Sequence, residues 1–473
     1  MVTYIKYGSL LAFVISTVLL VIQLERDNDA TPKSNSPSLS LVSEKITPTA
    51  HFLNLISKAD EQTVKTSIAY IDKHWEDTYE IMLLETVYFS QHKKTSQKLI
   101  QLLEEKTGKQ FGFDFDRWFQ WIWNRDPHYS DDYFEFKASL HKIIDPRFNT
   151  YFLDREQQST IRLDEVRWGG VLQDGIPPLR NPKMISVADA TYLDDTHIVF
   201  GIEVNGDARA YPKRILAWHE MFVDTVGDVT VAGVYCTLCG TVILYKTEHK
   251  GIKHQLGTSG FLYRSNKLMY DKATQSLWST LEGEPVIGPL VGKGIQLDYL
   301  SVVTTTWGEW KKRHPETTVL SLQTGHRRDY GEGVAYREYF ATDDLMFTIP
   351  KIDKSIKNKD EILSIRIPGV PDENLAIASK FLRKNSIYAS KIGSVNFTVF
   401  TDRTGAHRVY ASKEEHFKDY DHKSTVLDDD GNSWTLLEEK MMSENGEELQ
   451  RIPTHNAFWF GYKAAFPHAR LIK

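Results

Sequence analysis

The chain has 473 residues, 41% of them hydrophobic and 25% charged, enough to bury more than one core and unlike a disordered polymer. A net charge of −6 excludes the strongly basic surface that a nucleic-acid partner requires, so none is expected. Two cysteines exclude a small disulfide-dense scaffold.

Residues 1–26, "MVTYIKYGSLLAFVISTVLLVIQLER", carry one cation, Lys6, ahead of an apolar or small run from Gly8 to Ile22. No small-x-small cleavage site follows, which favours an uncleaved signal anchor: a transmembrane helix tying the protein to a membrane. Lys6 before the run and Glu25, Asp27 and Asp29 after it imply a single pass, N-terminus inside and the remaining domains extracytoplasmic. Residues 27–48 are rich in Ser, Pro and Asn and read as a flexible linker. Residues 49–150 form an all-α module. "EQTVKTSIAYIDKHW" places Val64, Ile68, Ile71 and Trp75 on one helical face, and four further segments of similar character follow between breaker residues. Short helices in series suggest a helical-repeat-like array whose aromatics serve packing or a protein partner.

From about residue 185 the pattern becomes β-rich, giving an α+β class overall. "HIVFGIEVNGDARAYP" alternates and turns at Asn205-Gly206, a hairpin signal, and "TTTWGEWKKRHP" reads as a helix. The chain then repeats itself. "VYCTLCGTVILY" (234–245) aligns with "VFTDRTGAHRVY" (399–410) at an offset of 165 (401 − 236), and "WGEWKKRHPETTVL" with "WFGYKAAFPHARLI" at 152 (459 − 307). An internal duplication is expected, with copy one at about 185–325 and copy two at about 326–473. Cys236 and Cys239 align with Thr401 and Thr404, so the second copy keeps the framework without the thiols.

"NGDARAYPKRILAWHEMFVDTVGDVTVAGVYCTLCGTVILY", "GTSGFLYRSNKLMYDKATQSLWSTLEGEPVIGP", "TTTWGEWKKRHPETTVL" and the closing "AFWFGYKAAFP" together resemble an exported bacterial family catalogued as domain of unknown function 3179, over residues 175–473. That family usually reads C-P-L-C-G, where this chain has Thr237 in place of the proline. The resemblance implies an extracytoplasmic setting and a duplicated β-rich domain, and no established activity.

The chemistry must come from the residues. C-x-x-C-G at a strand end places two sulfurs on one tight turn, the shape of a metal knuckle. A second cysteine pair is absent from the sequence, so a metal site would recruit His219, with His254 and His249 in reserve, and would suit copper or zinc. The same atoms suit thiol redox, although the flanking residues read as strand-turn-strand rather than the helix N-terminus that activates a thiol. The third reading is a static disulfide clip in a binding or assembly module. Glu220, Asp224, Tyr211, Ser259, Asn266 and Asp271 are candidate supporting residues. "GTSG" (257–260) reads either as an anion nest or as a hairpin turn. No G-x-S-x-G, P-loop or H-E-x-x-H is present, which removes the common hydrolase, nucleotide and zinc-protease mechanisms.

Overall fold

The computed structural model describes residues 47–57, 60–125, 129–153, 158–367, 374–413 and 415–473. It is mixed α+β, with two compact units. One comprises the chain to Gln173 with Thr274–Ser276 and Val286–Val291; the other comprises Asp174–Ala273, Leu277–Pro285 and Gly292–Lys473.

In the first unit the five expected helices form at Glu61–Lys73, Thr78–Phe89, Lys93–Thr107, Phe115–Trp123 and Asp131–Lys142, preceded by Pro48–Ile56. Thr47 and Asp60 accept from the open amides of the first turns, which is why those two helices begin where they do. Thr78–Phe89 is buried on every side from Thr78 to Val87. Its Glu85 accepts from the Lys137 ammonium at 2.8 Å, and both side chains are almost wholly buried. The first helix packs against Asp131–Lys142 as well as its own neighbours. The module is therefore a closed bundle around a central helix, whereas a repeat array touches only adjacent units. Trp118, Phe119, Tyr133, Phe136, Tyr151 and Phe152 are buried there and form core, whereas Phe113 is 49% exposed.

The membrane expectation is corrected here. A bilayer span needs about 20 apolar residues, and among the described residues no helix is long and apolar enough to cross a membrane. The longest, Lys93–Thr107, has 15 residues, with charged groups along it. Residues 1–26, on which the single-pass and extracytoplasmic reading rested, lie outside the described residues.

The second unit contains one strand plan twice. In its first half Val303–Thr306, Ile198–Val204, Asp207–Pro212 and Thr318–Leu320 lie in that order, the last two parallel. In its second half Thr454–Phe458, Glu361–Ile365, Leu375–Ala378 and Arg470–Ile472 do the same, again with the last two parallel. A helix follows the first-named strand each time, Trp307–Arg313 and Trp459–Ala465. Each half also has a meander, Met221–Val226, Val229–Cys236 and Thr241–Lys246 in one, Ile387–Ile392, Val395–Thr401 and His407–Ser412 in the other. Asn205 and Gly206, with φ of 50° and 79°, turn the expected hairpin.

The halves seat on each other reciprocally. The meander tip at Cys239 and Gly240 meets Phe458 and Gly461, where a strand becomes a helix. The other tip places the Thr404 hydroxyl 3.3 Å from that of Thr305, and Ala406 packs with Val303, Trp307 and Trp310. Residues 321–360 join the halves and contain one short helix, Arg337–Phe340, among the described elements.

Candidate functional site

Strand register fixes the thiol pair. Cys236 ends one meander strand opposite Thr241 of the next, which leaves Thr237, Leu238, Cys239 and Gly240 to make the turn. Gly240 takes φ +61°, and a Cβ there would meet the Phe458 ring at 2.8 Å, so the residue is demanded twice over. Cys236 and Cys239, with Cα atoms 5.6 Å apart, are joined as a disulfide. They are 2% and 1% exposed, so no reagent reaches them without movement of the cover.

Three segments hold this turn. The Thr237 hydroxyl donates to Glu220 at 2.7 Å. The Tyr339 hydroxyl donates to the Leu238 carbonyl at 2.7 Å, and the Phe458 amide donates to the Cys239 carbonyl at 2.7 Å. Glu220 sits in the left-handed conformation, φ 54°, where the helix Lys213–His219 hands over to the next strand. Its other carboxylate oxygen accepts from Lys267 at 2.8 Å, and both side chains are under 10% exposed. The Tyr336 hydroxyl donates to the first oxygen at 3.1 Å. Burial, then the Glu220 charge, pushes the Tyr336 and Tyr235 phenols up, so both remain protonated.

The expected site residues do not all converge. Asn266 reaches the turn's cover, donating to the Gly461 carbonyl at 2.9 Å. Asp224 and Tyr211 form a separate cluster, in which the Asp224 carboxylate accepts from the Tyr211 hydroxyl at 2.7 Å and from Arg209 at 2.8 Å. His254 pairs with Asp271 at 3.2 Å and packs on Trp278. Ser259 donates to the Leu268 carbonyl at 2.6 Å. "GTSG" is neither nest nor hairpin turn: it lies within the strand Leu256–Tyr263, at an irregularity in register between Thr258 and Leu262.

The donor set does not fit copper or zinc. Metal ligation takes thiolates, and the two sulfurs are bonded to each other. His219 is fully buried with both ring nitrogens engaged. Nδ1 donates to the Pro177 carbonyl at 2.9 Å, and Nε2 accepts from the Tyr330 hydroxyl at 2.6 Å. Burial pushes its pKa down to about 4, so the ring stays neutral. Among the described residues no group of three or more His, Cys, Asp or Glu side chains is placed to hold a metal ion.

Thr237, Lys267, Tyr336, Tyr339, Phe458 and Gly461 escaped the sequence reading. Lys267 carried a readable signal: a lone cation within "NKLMYD", a strand buried at all six positions, must find a carboxylate. The tyrosines carried none, because the connection they occupy has no periodicity.

A family model described as "Protein of unknown function (DUF3179)" matches residues 173–469. No curated protein and no solved structure matches the chain.

Proposed function

The chain belongs to the DUF3179 family, and from that premise we propose that its Cys236–Cys239 pair is a reversible thiol–disulfide couple. The observation that carries the reading is the buried Glu220–Lys267 ion pair, whose Glu220 carboxylate accepts from the hydroxyl of Thr237, the residue beside Cys236. The carboxylate is the member bonded to Thr237, and a negative charge near a thiol favours its protonated form, which suits a displaced sulfur that takes up a proton. In the step, an external thiolate attacks one sulfur and the Cys236–Cys239 bond breaks. The displaced sulfur leaves as a thiolate and takes a proton. A second external thiol resolves the mixed disulfide, so two electrons and two protons enter the protein and the reductant ends as its own disulfide.

We further infer an internal duplication, supported by the recurring strand order. The second copy then supports a redox role over a structural one. Its equivalent turn lacks sulfur and is closed by Asp402, whose carboxylate accepts from the Thr404 amide and hydroxyl at 2.9 and 2.7 Å and from the Ala406 amide at 3.1 Å. A turn of this kind closes without a disulfide, and a bond spanning so short a loop stabilises by only about 2 kcal/mol.

The near-complete burial of both cysteines favours a second reading, a static clip in a binding or assembly module. Titration of the full chain in dithiothreitol buffers of graded poise, with free thiols trapped by alkylation, decides between them. The redox reading expects both thiols to appear together and reversibly while circular dichroism stays native. Thiols that appear only as the signal of folding is lost would establish the clip. The Cys236→Ser/Cys239→Ser variant, expected to remain folded, sets the zero of the assay.

A further inference from the structure

A cavity of about 330 Å³ opens on the second unit, and Phe340 and Phe458 line it. The same two rings belong to the cover of the disulfide. Phe458 donates its amide to the Cys239 carbonyl at 2.7 Å, and its ring packs so closely on Gly240 that a Cβ there would lie 2.8 Å away. Phe340 follows Tyr339, whose hydroxyl donates to the Leu238 carbonyl at 2.7 Å. The two ring centroids stand 6.2 Å apart, edge to face, so the rings form a wall between the cavity and the turn that carries Cys239. We propose that this cavity is the entrance through which a small-molecule thiol reaches the disulfide, and that Cys239 is the sulfur it attacks. The proposal rests on the redox reading and names its substrate class and route.

Size sets the class of entrant. The volume suits a small ligand, at the lower end of the range for binding cavities, and admits no folded partner. Charges around it are matched within the protein: Asp360 lies 2.6 Å from Lys380 and Glu361 3.8 Å from Arg383, while Lys359 donates to the carbonyls of Tyr339 and Thr342. Selection therefore falls on size more than on charge. Phe340 is the part of the wall that yields. It is half-buried and ends a single turn of helix, Arg337–Phe340, whereas Phe458 is 8% exposed on a strand paired with Glu361–Ile365. A short element with few buried contacts opens at little cost. The cover's contacts fall on Leu238, Cys239 and Gly240, while Cys236 ends its strand opposite Thr241. In the step, the entering thiolate bonds to Cys239 Sγ and the Cys236–Cys239 bond breaks with its electron pair on Cys236 Sγ, which takes the proton the entering thiol gave up. A second small thiol then attacks the first one's sulfur and frees Cys239 as a thiol.

Alkylation of lone thiols tests the route without requiring a redox cycle. In the full chain, Cys236→Ser leaves Cys239 and Cys239→Ser leaves Cys236. Each is treated with iodoacetamide and with a maleimide on a polyethylene glycol chain, and each rate is referred to the rate in denaturant. Iodoacetamide should modify Cys239 about tenfold faster than Cys236, and the polymer reagent should modify neither while the protein stays folded. Adding Phe340→Ala, which removes half of the aromatic wall, should speed the Cys239 reaction about tenfold and leave Cys236 unmoved. The Lys213 ammonium lies 5.1 Å from the centre of the Phe340 ring, so Lys213→Trp should crowd the mouth and slow the Cys239 reaction. Lys213 and Phe340 are both half-buried, so these variants fold. Equal rates at the two thiols, a Phe340→Ala effect shared by both, or no effect of Lys213→Trp would overturn the entrance. Polymer reagent reacting at the relative rate of iodoacetamide would overturn the small-thiol class. The dithiothreitol titration judges the redox reading separately, since these rates are read on chains that cannot form the disulfide.

Discussion

A methyl group at Gly461 would lie 2.7 Å from the Cβ of Cys239 and 3.2 Å from the Asn266 side-chain oxygen. Glycine to alanine within a helix ordinarily gains up to about 1 kcal/mol, whereas overpacking costs about 1–3 kcal/mol. The clash wins: Gly461→Ala should destabilise the protein in urea denaturation, and a neutral or stabilised variant would show that the cover over the disulfide is loose. Glu220→Gln tests the charge pair in the same way. It leaves the Lys267 ammonium, 5% exposed, without its carboxylate, and about 3–5 kcal/mol of stability should go with it. Glu220→Gln/Lys267→Met should recover most of that loss, because the uncompensated charge is gone. Cys236 and Cys239 were legible in the sequence because their spacing alone sets what two sulfurs can do. Lys267 was legible only to a reader asking where a lysine in an apolar strand keeps its charge. His219 misled: an imidazole before a C-x-x-C reads as a ligand until its two hydrogen bonds are seen.

The two meander tips show how one element tolerates different chemistry. Cys236–Cys239 closes one, and the Asp402 carboxylate closes the other while also reaching buried Arg408 at 3.3 Å. Removing the disulfide should cost about 2 kcal/mol at most. Asp402→Ala forfeits three turn hydrogen bonds and a buried ion-pair partner, and should cost about 3 kcal/mol or more. Denaturant midpoints of the two variants should therefore rank Asp402→Ala as the less stable, and the reverse order would mean that the disulfide carries the turn after all. The offset of 165 pairs the cysteines with Thr401 and Thr404 and is silent about Asp402, whose role depends on the turn bringing amides to it. Hairpins and helices fared better. Asn205-Gly206 and the Thr306-capped helix Trp307–Arg313 are written in local residue chemistry, whereas the tyrosines of residues 321–360 act only through partners distant in sequence.

Across the whole molecule, acid should be the main chemical threat. Burial pushes His141, His407 and His455 down to about 3 and His219 to about 4, from an ordinary value of 6.5. The unfolded chain therefore takes up protons first. The stability these neutral rings allow is present above pH 6.5 and is lost as pH falls toward 4, at about 1.4 kcal/mol per unit for each ring. His314 runs the other way: burial lowers its pKa, but Glu203 and Glu438 outweigh burial and raise it, so its contribution fades as pH rises. His51 is lowered too, by burial and then by His74; with five rings against one, the melting temperature should drop steeply between pH 6.5 and 4.5, and a flat profile would contradict the buried, neutral state of these histidines. The α+β class and the β-rich second region were legible from periodicity alone. The closed form of the helical bundle was not, since packing of its first helix on a later one leaves no trace in local spacing.

The cover over the disulfide has a consequence in time. Phe458 emerges 219 residues after Cys239 (458 − 239), which at ordinary rates of synthesis is roughly 10–45 s. Throughout that interval the hairpin tip has no lid, and the surroundings of the growing chain write its oxidation state. Docking of residues 454–461 then closes over the result. The finished protein thus starts from the state set where it was made and holds it until an external thiol or disulfide resets the couple, readable by comparing alkylation of chains arrested before Thr454 with that of the full-length product.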